Sequence, residues 1–474
     1  MPTTRPGRAS NLLKVTEPRQ PETKTDLLET TDPVARAQGK TEDRADLTEA
    51  RSEAKAKRPS WFRLGPGLIT GAADDDPTAI GTYSIAGAQF GYRLLWLAPL
   101  GVPLMIAVQE MCGRAALVTS QGLAAIIKRH YPRWVLYAAL GLLVAPNIIN
   151  VYADLNVMAA SMQMLFGLPF ALWLTVLTVA IVTAQIAIPY KHYVKVLKYT
   201  CLALLAYLVL AVLPRAHVHW GQALRGMVMP GWSSQRDYLL TVVGVLGTTI
   251  SPYLFFWQAG EQVEEDIAEG LTDDAGRRTG RVRASEIRSV RSDTAVGMIA
   301  SQLIAGAIIV SAAATLHASG HTNINTAPDA ARALLPLGAA AYWLFGLGIL
   351  GSGLLTVPTL GGSAAYAVSE TLGWRNGLYR RFGRARGFYI TLAAVIAVGY
   401  LLNFAHVISP LKALLYAAVL NGLAAPPLIV LLLLICNNRT IMGEHTNGWL
   451  ANSVGALTAG LMGVAAAVFL WVTL

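Results

Sequence analysis

Charged side chains are scarce in this chain. They make up 14% of its 474 residues, where soluble globular proteins carry about 25%. Hydrophobic residues reach 54% and gather into runs of about 20, the length that crosses a bilayer as a helix. The shortage excludes an ordinary soluble domain and predicts an all-α membrane protein with many spans. Cysteine is as sparse. Cys112, Cys201 and Cys436 are the only three; their spacing gives no sign of a disulfide framework or a zinc site. No H-E-x-x-H cluster or nucleophile–base signature occurs, which leaves a membrane enzyme as the weakest class. Residues 1–58 lack aromatic side chains and any long apolar run. Such a segment buries too little apolar surface to order itself and has no signal-peptide core. It is expected to be a disordered cytoplasmic tail ahead of a transmembrane domain over 59–474.

What is present is a series of apolar segments near 66–88, 94–118, 134–165, 169–188, 194–213, 237–258, 293–317, 335–369, 388–404, 411–435 and 452–473. They predict eleven spans. The net charge of +10 is scattered between them and forms no single patch, so no nucleic-acid partner is expected. With the N-terminus inside, the inner loops hold Arg114, Lys128, Arg129 and Arg133, three lysines over 191–198, the arginine-rich 277–291 stretch, Arg375 to Arg386, and Arg439. The outer loops hold only Arg93, Arg215, Arg225, Arg236 and Arg332. That asymmetry predicts a cytoplasmic N-terminus and, with eleven spans, an external C-terminus.

Two spans are interrupted. "GAADDDPTAIGTY" (71–83) sets Asp74, Asp75 and Asp76 before Pro77, and "GTTISPY" (247–253) sets Ser251 before Pro252. The two prolines occupy corresponding places if spans 1–5 and 6–10 are copies of one unit. Proline removes a donor and opposes continued helix, so nearby carbonyls lose their partners. In lipid that is tolerated only where a cation or a water-filled cavity satisfies them. Paired breaks point to an inverted-repeat transporter with its site at mid-membrane. The alternative is two ordinary proline kinks.

An intramembrane carboxylate is a functional candidate by default. Asp76, where the backbone opens, is the first choice as a direct ligand; Asp74 and Asp75 line the vestibule or hold water. Opposite them Thr248, Thr249 and Ser251 offer hydroxyls and main-chain carbonyls. These are hard oxygen donors, suited to Mg2+, Ca2+ and Mn2+. Helix packing alone also accounts for small hydroxylated residues.

The motifs resemble the Nramp family of divalent-metal transporters, which has the LeuT-type inverted repeat of 5+5 helices, here with helices 1 and 6 broken and an eleventh helix added. "GPGLITGAADDDP" is similar to that family's opening break, "VQEMCGRAALVTSQGLA" (108–124) to its second-span end, and "NNRTIMG" (437–443) to its loop after span ten. The likeness covers 60–474. Family members usually read Asp-Pro-Gly-Asn where this chain has Asp76-Pro77-Thr78-Ala79, and Met-Pro-His where it has Ser251-Pro252-Tyr253. A second family histidine is Gln258, and Val157 stands where many members carry a glutamate; Asp154 is retained. With "TTISPYLFFWQ" and "GSGLLTVPTLGGSAAYAVSE" (351–370), these departures resemble the Nramp-related magnesium-transporter branch.

The resemblance implies a metal site at Asp76, Thr78, Ala79, Thr248 and Ser251. Asp74, Asp75, Asp154, Tyr253, Gln258 and Asn421 stand along the pathway or around the site. It implies Mg2+ or Mn2+ as cargo, no resident cofactor, and a bacterial inner membrane. Mg2+ keeps several waters, and small residues at Ala79 and Ser251 leave room for them. Without the histidines, proton coupling is not expected. Asn147, Asn150 and Gln185 are equally pathway groups or helix-to-helix hydrogen bonders. His217, His219, His317 and His321 are expected in outer loops, and "EQVEED" (261–266) is expected to open a solvated cytoplasmic loop. The rival readings are a proton-coupled Mn2+/Fe2+ importer of ordinary Nramp type and an amino-acid carrier of the same fold; Asp76 argues against the second.

Overall fold

The computed structural model describes residues 65–188, 207–209, 211, 218–272, 277–322, 339–405 and 410–473. The expected tail, most of the fifth span and His217 lie outside the described residues.

The first span is two helices. α1 (Pro66–Asp74) ends where Asp75 leaves helical geometry, and Asp76 is extended. Pro77 then opens α2 (Pro77–Phe90) at a first-turn position, where its missing N–H is harmless. After α3 (Leu97–Thr119), α4 (Leu123–His130), α5 (Arg133–Phe166), α6 (Phe170–Ala187) and the short α7 (Trp220–Val228), the pattern recurs. α8 (Arg236–Thr249) stops, Ile250 and Ser251 are non-helical, and Pro252 opens α9 (Pro252–Ala268). Each break is therefore two residues followed by proline. α10 (Ala284–Ala312), α11 (Ala339–Leu372), α12 (Arg386–Leu402), α13 (Pro410–Asn437) and α14 (Trp449–Thr473) complete the bundle.

Among the described residues, eight helical stretches are long and apolar enough to cross a membrane. The two halves of span one, with 9 and 14 residues, and the 17-residue α12 are shorter. α14 exposes Trp449 and Trp471 near its two ends, the placement that suits the two membrane interfaces.

Packing explains where the breaks lie. α10 runs alongside α1 and α2, and glycines let the backbones nearly touch. A Cβ on Gly71 would strike the Gly297 backbone, and one on Gly297 would strike Gly67 and Leu68. α9 packs between α3 and α11, and α5 packs on α11, α12 and α13. The two breaks thus meet inside a cage of α5, α10, α11 and α13.

Three sequence expectations need correction. Residues 261–266 are not a solvated loop but the last turns of α9, with Glu261, Glu264 and Asp266 all buried. They stay inside because they are paired: Glu264 accepts from the Tyr366 hydroxyl and from the Leu378 and Tyr379 amides, and Asp266 from Gln262 and Arg278. Span seven begins near Ala284 rather than 293, because Glu286 reaches back to the Arg283 amide and starts the helix early. His317 closes a π-helical turn (Ala313–His317) instead of lying in a loop; its Nδ1 is 2.9 Å from the Ala88 carbonyl.

Candidate metal-ion site at the helix breaks

Asp76 sits at the N-terminus of α2, and its Oδ1 accepts from the Ala79 amide at 2.5 Å. That is the ordinary role of an aspartate before a helix. It also fixes the carboxylate at the mouth of the break. Ala79 adds no polar side chain. Thr78 is held from the other side: its amide (3.1 Å) and hydroxyl (2.8 Å) both donate to Asp154 Oδ1. Asp154 lies midway along α5, so this pair draws a third helix into the site.

The second break joins the first through Tyr253, whose hydroxyl donates to the Ala73 carbonyl at 2.8 Å. One carbonyl freed by the break of span one is therefore satisfied from span six. Ser251 does the same within its own span, its hydroxyl lying 3.0 Å from the Gly247 carbonyl and 2.8 Å from that of Thr248. The Thr249 hydroxyl pairs with Tyr83 at 3.0 Å. α13 closes this side where Gly247 meets Ala418. Asn421 follows one turn later, buried, with its Oδ1 unpartnered.

The three aspartates fan apart. Asp74 Oδ2 accepts from Ser301 of α10 at 2.7 Å. The Asp75 main-chain carbonyl accepts from Ser352 of α11. What remains is a set of buried oxygens with no partner in the protein: Asp74 Oδ1, both Asp75 oxygens and Asp154 Oδ2. Among the described residues no lysine, arginine or histidine stands against the four carboxylates. Buried carboxylates without a countercharge are costly, and every unfilled position is an acceptor. The arrangement therefore suits a cation or the outward-pointing hydrogens of its waters.

No three His, Cys, Asp or Glu side chains among the described residues converge into a ready-made metal cluster. An ion here must draw on carbonyls, hydroxyls and water as well, which is usual for Mg2+. Gln258 lies further along α9 against Gly113 of α3, and its Oε1 is unpartnered. Ser301, Ser352 and Tyr83 were missed by sequence reasoning. A lone hydroxyl in an apolar span carries no signal of which break it will meet.

One end of the bundle is held by carboxylates bonded to main-chain amides. Asp293 of α10 accepts from Gly65 (3.2 Å) and Gly67 (2.6 Å) at the start of α1. Glu370 accepts from Ala125 of α4 at 3.0 Å. Arg114 pairs with Glu110 at 2.9 Å, and Arg291 approaches the same carboxylate at 3.4 Å.

The sequence pattern of the family described as Nramp, "Natural resistance-associated macrophage protein-like", matches residues 67–472. Divalent metal cation transporter MntH of Brucella suis biovar 1 (strain 1330) is 26% identical over 420 residues, covering 87% of this chain and 88% of that protein. Among solved structures, the Eremococcus coleocola manganese transporter superposes with a TM-score of 0.68 at 18% identity, over 87% of this chain and 88% of that one. MhsT, solved with L-phenylalanine, gives 0.54 at 14% identity, over 88% and 99%. At such identities the structures show the fold alone, the LeuT-type inverted repeat. The motif match is of another kind, since it runs through both breaks and nearly all of the membrane domain: the chain belongs to the Nramp family.

Proposed function

We propose that this protein carries Mg2+ and Mn2+ across the bacterial inner membrane by alternating access, with its N-terminus in the cytoplasm and no obligatory proton. The observation that carries the reading is the acceptor-only lining of the breaks: four buried carboxylate oxygens without partners and, among the described residues, no basic side chain beside them. The names of the relatives support divalent metal as cargo. The donor set supports hard ions, because Ser251 and Ala79 offer neither sulfur nor imidazole, and hard oxygen sites favour Mg2+ and Mn2+ over later transition metals. Tyr253, Gln258 and Val157 remove titrating groups from the second span break and from α5. Membrane potential then supplies the drive, about 2.3 kcal/mol per charge per 100 mV and twice that for a divalent ion.

One observation favours the proton-coupled alternative: Asp154 is buried with one oxygen unpartnered. Proteoliposomes loaded with a pH dye and held negative inside separate the two. Uptake of Mg2+ and Mn2+ without interior acidification is the expected result. Acidification that follows metal entry and vanishes in Asp154→Asn returns the protein to the coupled class.

A further inference from the structure

The face of α5 that carries Asp154 also carries Asn150 and Asn147, spaced four and three residues apart and so aligned on one side of the helix. That side looks at α11. Asn147 Nδ2 donates to the Leu360 carbonyl (2.9 Å) and reaches Ser363 Oγ (2.8 Å). One turn beyond Asp154 in the other direction, Met158 fills the space against Gly353. Asn150 lies between these contacts, opposite the stretch of α11 that holds Thr356 and Thr359. Both hydroxyls donate back to their own helix, to Ser352 and Leu355 at 2.9 Å. Each keeps a lone pair.

Asn150 is 0% exposed, yet its Nδ2 and its Oδ1 both lack a partner in the protein. This differs in kind from the breaks, where the unpartnered atoms are all acceptors. A donor and an acceptor side by side match a small neutral molecule that can play both parts, and buried water does so. One turn along, Asp154 Oδ2 is an acceptor on the same face still in need of a donor, its other oxygen being taken by Thr78.

We propose that Asn150 is a positioning residue for ion selection: it holds a buried water that donates to Asp154 Oδ2 and so fixes that carboxylate toward the helix break. The inference rests on the reading of the site as one for a divalent cation and extends it. An ion that keeps its waters touches the protein through them, and a fixed carboxylate oxygen receives their hydrogens. Mg2+ dehydrates reluctantly, so it depends on such outer contacts more than Mn2+ does. Asn150 therefore acts on the ratio between the two ions.

The test has two parts. An experimental structure of the full-length wild-type protein should show an ordered water within hydrogen-bond distance of both Asn150 and Asp154; direct protein partners on both ends of the Asn150 amide would overturn the proposal. In proteoliposomes, Asn150→Leu should raise the KM for Mg2+ about tenfold, the worth of one lost hydrogen bond, and that for Mn2+ less than about twofold. Asn150→Ser, whose hydroxyl can hold the same water, should restore most of the Mg2+ affinity and serves if the leucine variant does not fold. An equal rise for both ions means a merely structural role and defeats the idea. Wild-type uptake of Mn2+ with none of Mg2+ would defeat the magnesium reading instead, and the water density would still decide for Asn150.

Discussion

Asp76 performs two tasks with one carboxylate. Its Oδ1 starts α2 by accepting from the Ala79 amide, and its charge faces a break with no basic neighbour among the described residues. The tasks separate by substitution. Asp76→Asn keeps an acceptor for the helix start and loses the charge; Asp76→Ala loses both. Uptake should vanish in each, while only the alanine variant should also lose stability, by about 1 kcal/mol for the missing helix start. Uptake in sealed vesicles and thermal unfolding midpoints check this. Wild-type transport in Asp76→Asn would remove Asp76 from the ion path. At this scale the sequence was half legible. "DDDP" marked an interrupted span, and the structure has the break there with Asp74, Asp75 and Asp76 all buried. It was silent on their directions. Ser301 of α10 orients Asp74 and the Ala79 amide orients Asp76, while Ser352 of α11 and Asp154 of α5 hold the Asp75 carbonyl and Thr78 beside them.

Elements were easier to read than contacts. Hydropathy and proline placed both breaks within the stretches DDDPT and GTTISPY, where the structure has them, and the described spans agree with the apolar segments to within a turn or two at most ends. The exceptions were charged ends. Hydropathy counts Glu261, Glu264 and Asp266 as loop because it prices each charge alone, whereas folding prices it with its partners. Nor does composition reveal the glycine seam, since Gly67, Gly71 and Gly297 matter only because they face one another. That seam yields a prediction. Gly297→Val would push side-chain atoms into the Gly67 carbonyl and the Leu68 backbone. Overpacking of this sort costs about 1–3 kcal/mol, and here it falls on the docking of α1. In a Leu68→Cys background, Gly297→Val should speed thiol labelling of α1 severalfold. Unchanged labelling would mean that α1 does not need the seam to stay in place.

For the whole molecule, the carboxylate clamps cluster at one end of the bundle, the one that the proposed orientation puts in the cytoplasm. Asp293, Glu370 and Glu264 each tie one helix to the main chain of another segment. Asp293→Ala leaves the Gly65 and Gly67 amides unpartnered, a loss of about 1–3 kcal/mol for buried groups. Amide hydrogen exchange over the start of α1 should quicken while the core of α5 is unchanged. Equal protection in mutant and wild type would show that the clamp is incidental.

The clamp on α1 also has an inherited asymmetry. Its acceptor is a side chain on α10, but its donors are backbone amides, which every residue except proline supplies. Mutations at Gly65 or Gly67 would still unfasten it, because a Cβ there would strike the Asp293 carboxylate or the Thr294 backbone. Those that strike the codon for Asp293 cannot be compensated from the α1 side. Both sides of the clamp are therefore restricted, α10 by the carboxylate it must carry and α1 by the room its glycines must leave for it.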